Sequence, residues 1–120
     1  MDVRVKTFAS EAAERLGFLR AEFGFTGPVP VSGENGPYPL LRRVRFARPG
    51  LSVEISLVLS YMGEEYVAAH LVAEDESGSV RRTQIARGTA HTGYQLRHAL
   101  DLQAHAVRRA LGGHAPVNST

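Results

Sequence analysis

Three clusters of residues in this 120-residue chain are of types that do chemistry, and spacing decides what each can be. His98, Asp101 and His105 span nearly two helical turns and so share one side of a helix. Imidazole and carboxylate are zinc ligands, but Arg97, Arg108 and Arg109 share that side and oppose a cation. The spacing also differs from the histidine pair, four apart, of a zinc hydrolase helix, so we read a solvated polar face and expect no metal. His70 sits among Ala68, Ala69 and Leu71. No nucleophile or orienting carboxylate is placed beside it by sequence, which makes it a core histidine rather than a general base. Arg43, Arg45, Arg81 and Arg82 form a basic patch if their two strands share an exposed surface, and such a patch suits an acidic protein or a phosphate backbone. No aromatic platform or recognition helix accompanies them, so nucleic acid is not expected.

Composition narrows the classes further. The chain lacks cysteine, which excludes a disulfide framework, thiolate catalysis and cysteine-ligated zinc or iron, and suits a reducing cytoplasm. Gly33-Glu-Asn-Gly36 is a turn, since no Gly-Lys-Ser or Gly-Lys-Thr follows and no helix opens after it. The formal net charge is +2, too small to imply nucleic acid. All but one of the 14 basic residues are arginine, a bias typical of a GC-rich bacterial genome and one that favours forked pairing with carboxylates. The start has no apolar core of a signal peptide, and no run approaches the roughly 20 apolar residues of a membrane span. The expectation is a soluble cytoplasmic protein, non-enzymatic, with no cofactor and no membrane partner.

The elements that would position these residues centre on residues 52–60. Val53, Ile55, Leu57 and Leu59 alternate there with Ser52, Glu54, Ser56 and Ser60, the period of a strand with one dry face and one polar face. Before it, Phe8, Ala12, Leu16, Leu19 and Phe23 line one side of a helix that Thr7 would cap and Gly24 would end, with Phe18 off the stripe against a loop. The proline- and glycine-rich residues 26–39 read as a long loop with at most a short edge strand near Val29 to Val31. Residues 41–47 form the next strand. A two-residue Pro49-Gly50 turn then sets Phe46 opposite Val53, Val44 opposite Ile55 and Arg45 opposite Glu54. That last pair is worth at most about 1 kcal/mol at a surface.

After Gly63 two registers compete. A type II′ turn at Gly63-Glu64 puts Tyr66, Ala68, His70 and Val72 on the dry face. One more loop residue exchanges the sets, burying Val67, Ala69, Leu71 and Ala73 and exposing His70. In either register this strand is apolar on both faces, which calls for a second layer or a partner. An acidic turn from Glu74 leads to a polar edge strand from Val80 to about Ala86. Thr92 with Gln95 then forms a capping box ahead of a helix whose stripe is Leu96, Leu100, Gln103, Val107 and Leu111.

The run Phe18-Leu-Arg-Ala-Glu-Phe-Gly-Phe25, followed by Val44-Arg-Phe46 and Leu51-Ser-Val-Glu-Ile-Ser-Leu57, resembles a class of small bacterial α+β proteins. In these an opening helix ends in Phe-Gly-Phe or Tyr-Gly-Phe and an antiparallel meander follows. Some resemble immunity proteins encoded beside polymorphic toxins. The likeness covers the first half of the chain, departs at the full-length final helix and transfers no catalytic residue; it implies a protein whose work is to bind another protein.

The expectation is therefore one α+β domain over residues 1–113 with a disordered tail at 114–120. An antiparallel meander of four to five strands carries an N-terminal and a C-terminal helix. Its function is to bind a protein partner through Arg43, Arg45, Val58, Val67, Ala69, Leu71, Arg81 and Arg82. The alternative is a small-molecule pocket between sheet and helix lined by Tyr61, Tyr66 and His70. A third arrangement is a homodimer through the apolar outer face.

Overall fold

The computed structural model describes residues 3–31, 40–60 and 63–112. Two helical segments open it, α1 at Val3–Arg15 and α2 at Phe18–Phe23, followed by strands β1 at Thr26–Pro30, β2 at Leu40–Arg48, β3 at Leu51–Leu59, β4 at Glu65–Glu74 and β5 at Val80–Thr89. The last helix, α3, is Gly93–Gly112. The five strands form one antiparallel sheet in the order β1-β2-β3-β4-β5, and both end helices lie on it, so the fold is α+β as expected. None of the described helices is long and apolar enough to cross a membrane.

The opening helix departs from expectation at both ends of its first half. It already runs from Val3, so Thr7 lies inside it and donates its hydroxyl to the Val3 carbonyl at 2.7 Å instead of capping. It then breaks at Leu16 and Gly17, where bonds from Leu19 to Leu16 and from Arg20 to Gly17 tighten the turn. The apolar stripe survives the break. Phe8, Ala12, Leu16 and Leu19 are all buried, and Gly24 ends α2 in the left-handed conformation. Phe18 meets the edge of Phe23 and the guanidinium of Arg108 on α3, not a loop.

Pro49-Gly50 makes the expected tight turn, with Gly50 at φ 79°, and sets Phe46 against Val53, Val44 against Ile55 and Arg45 against Glu54. On the far side of β3 the longer connection wins. Ile55 pairs with Ala69 and Leu57 with Val67, so Val67 and Ala69 join Val53, Ile55, Leu57 and Leu59 under the helices. Each large apolar side chain buried there contributes about 1.5–3 kcal/mol, and the observed register buries the wholly apolar Val67 and Ala69 in place of Tyr66 and His70, whose polar atoms would need partners in the core. Val67 and Ala69, expected on a partner-binding surface, are thus core residues, and Leu71 is packed against the same core.

The capping box at the start of α3 forms, with a shift. The Gln95 amide donates to Thr92 Oγ1 at 3.0 Å, while Gln95 Oε1 accepts from the His91 amide at 2.9 Å. Leu96, Leu100, Gln103, Val107 and Leu111 all face inward. Gln103 earns its buried place by donating to the Val67 carbonyl at 2.6 Å. α3 approaches β5 closely because Gly88 has no side chain; a Cβ there would lie 2.9 Å from that of Ala99.

Candidate functional site

With both end helices on one face of the sheet, no described helix or strand covers the other. Its side chains follow from the register in four rows. Leu41, Val58, Tyr66 and Thr89 form the first row, and Arg43, Ser56, Ala68 and Arg87 the second. Arg45, Glu54, His70 and Gln84 form the third, and Ala47, Ser52, Val72 and Arg82 the fourth. Arginines from β2 and β5 thus flank a centre of small or neutral groups around one carboxylate, Glu54.

The margins fold inward. Arg45 grips Glu54 through Nη2 at 2.6 Å and Nε at 2.9 Å, and Arg82 reaches the other carboxylate oxygen from the opposite side. Arg43 donates to Ser56 Oγ at 2.8 Å and passes 3.8 Å from Glu54. Under these flattened stems Glu54 is only 2 % exposed, and Ser56 is equally buried, although both sit on the polar face of β3. Burial alone would raise the Glu54 carboxyl pKa; the hydrogen bonds and charges of Arg82 and Arg45 outweigh it and hold the pKa below the ordinary carboxylate value.

His70 stands beside Glu54 in the next strand. Burial and then the charges of Arg82 and Arg43 push its pKa below the ordinary imidazole value, against the opposing pull of Glu54. The ring is therefore neutral near pH 7, and its buried Nδ1 has no hydrogen-bond partner among the described residues. Arg87 lies 3.7 Å over the Tyr66 ring, a cation–π contact that braces its guanidinium above the sheet.

Arg43, Arg45 and Arg82 therefore come together, with Val58 half-buried on the same face between Leu41 and Tyr66. Arg81 does not join them. It pairs with Ala73, whose parity is that of the helix-covered face, so it belongs to the other side of β5. Tyr66 and His70 lie on the open face and cannot line a pocket between sheet and helices. Tyr61 lies outside the described residues, as does the tail at 114–120.

Arg87 was missed for a geometric reason. A bulge between Ala69 and His70 leaves Ile85 unmatched in β5 and shifts the parity of everything after it, so that Arg87 shares a face with Arg82. Plain alternation would have set the two on opposite sides. On α3, Asp101 accepts from Arg15 at 2.9 Å and His98 stacks on Tyr94, which ties two of the three suspected metal ligands to other tasks. At the sheet's end Glu65 gathers Arg4 at 2.9 Å and His91 at 2.8 Å, joining α1 and the start of α3 to β4.

The open face offers four guanidinium groups around a single central carboxylate, with Glu74 at its margin beyond Val72. Guanidinium forks hold carboxylates in paired hydrogen bonds, and the array can bind anionic groups without moving any element of the sheet. Searches against known protein families, curated proteins and solved structures returned no match.

Proposed function

We propose that this chain is a non-enzymatic protein-interaction module that holds an acidic protein surface against its open sheet face. The observation that carries the reading is the excess of arginine over carboxylate on that face, with Glu54 already neutralised from both sides. A flat, braced array of guanidinium groups gives electrostatic steering and paired hydrogen bonds to aspartate and glutamate. The resemblance of the first half of the chain to small bacterial α+β proteins, some of them similar to immunity proteins, agrees with a task of binding another protein. Co-expression with the products of adjoining reading frames tests it. A one-to-one complex weakened by salt and by the double variant R43A/R87A is expected; a complex indifferent to both, or a specific turnover by the isolated chain, overturns the reading.

A small-ligand reading has one observation in its favour. A groove of about 410 Å³ runs along Glu65, Tyr66, Arg87, Thr89 and His91, within the size range of small-molecule sites. Its ligand would be flat enough to lie beside the Tyr66 and Arg87 pair, with an anionic group turned toward Arg87 and away from Glu64 and Glu65. A screen of aromatic carboxylates should then raise the melting temperature of the wild-type chain and not that of R87A.

A further inference from the structure

The two edges of the sheet are built differently. β1 is five residues long and carries Pro28 and Pro30, which cannot donate to another strand. β5 runs for ten residues without proline, Val80 through Gln84 are exposed and Val80 is 62 % exposed. Among the described residues, no main-chain group of β5 bonds to anything beyond β4. An edge of this length is a template for pairing unless something blunts it.

What blunts it here is charge of one sign. β5 carries Arg81, Arg82 and Arg87 and no aspartate or glutamate. Antiparallel pairing with β5 of a second copy, in the register that matches the two residues sharing the open face, would set Arg82 against Arg87, and like charges directly opposite destabilise a strand pair. An acidic strand would meet the reverse situation.

The flank of α3 specifies the other side of such a strand. Asp101 and Arg108 bond to Arg15 and Glu22, so that side of α3 faces α1 and α2. Ala99 sits against Gly88, and Leu102 and Ala106 follow it at helical spacing on the side away from Asp101, above the free edge. Leu102 is 53 % exposed there, an apolar side chain on an otherwise polar surface.

We infer that β5 accepts an extended segment of a partner protein as a sixth strand, one that alternates acidic residues toward Arg82 and Arg87 with apolar residues toward Leu102 and Ala106. The period-two alternation follows from the strand itself, whose successive side chains point to opposite faces. The inference rests on the interaction-module reading and adds to it the mode of contact and the partner's sequence pattern.

The probe is a labelled peptide, acetyl-Glu-Val-Glu-Val-Glu-Val-Glu-amide, with two N-methylated forms that block alternate amides in either frame. Fluorescence anisotropy should show binding by the full chain and weakening by about tenfold in one N-methylated frame but not the other. The exposed-site variant L102E should weaken it by several-fold, and a lysine-for-glutamate peptide should not bind. Hydrogen exchange should show new protection of alternate amides within β5. No binding overturns the inference. So does binding that both N-methylated forms share, with β5 exchange unchanged and sensitivity to R43A/R45A; that result would place the acidic segment on the open face and leave the interaction-module reading standing, whereas failure of the co-expression test removes that reading itself.

Discussion

At Glu54, exchanging the carboxylate for an amide (Glu54→Gln) takes away the charge that Arg45 and Arg82 share, while the side chain stays buried beneath them. The expected loss is about 1–2 kcal/mol, a charged hydrogen-bond contribution reduced by the solvent around two half-exposed arginines, read as a lower urea midpoint. His70 sets a pH dependence. Its folded pKa lies below the unfolded value of about 6.5, so the unfolded chain binds a proton that the folded chain refuses. Stability is then fully present above that pH and falls as the pH drops from about 6.5 toward the folded pKa. Glu54 acts in the same direction lower down, its contribution present above the ordinary carboxylate pKa and lost as pH falls through its depressed value. Urea midpoints from pH 7.5 to 5 should slope downward for the wild type and lie flatter for His70→Gln.

The elements meet most tightly where α3 crosses β5. Gly88→Val forces side-chain atoms into space that Ala99 occupies, and overpacking of this kind destabilises by about 1–3 kcal/mol, visible as a lower melting temperature. Thr92→Ala removes the acceptor for the Gln95 amide and should lower stability by about 1 kcal/mol in the same denaturation assay. These two elements also show what local reading captures. The stripe of α3 and its cap were legible because both depend on neighbours within one or two turns. The break at Gly17 was not, since glycine within a helix is tolerated as often as it interrupts one. The bulge at Ile85 was hidden for a related reason: an extra residue leaves no mark on a strand's own composition.

Taken whole, the described residues form a sheet with helices on one face only, and that shield is indispensable. A chain ended at Ala90 should leave Val67, Ala69 and Leu71 uncovered on the α3 side and lose its native circular dichroism or aggregate. The meander order, the Pro49-Gly50 hairpin and the inward stripe of the helices could be read from residue order, because period and turn chemistry act over a few bonds. The register after Gly63 could not, for both frames put apolar side chains on both faces and only the packing of Val67 and Ala69 beneath the helices chooses between them. Nor could the burial of Glu54 be foreseen, although its pairing with Arg45 was. Glu54 is polar by pattern and buried in fact, because arginines from strands on either side of it lie down over one carboxylate, an arrangement that exists only once β2, β3 and β5 have been brought together.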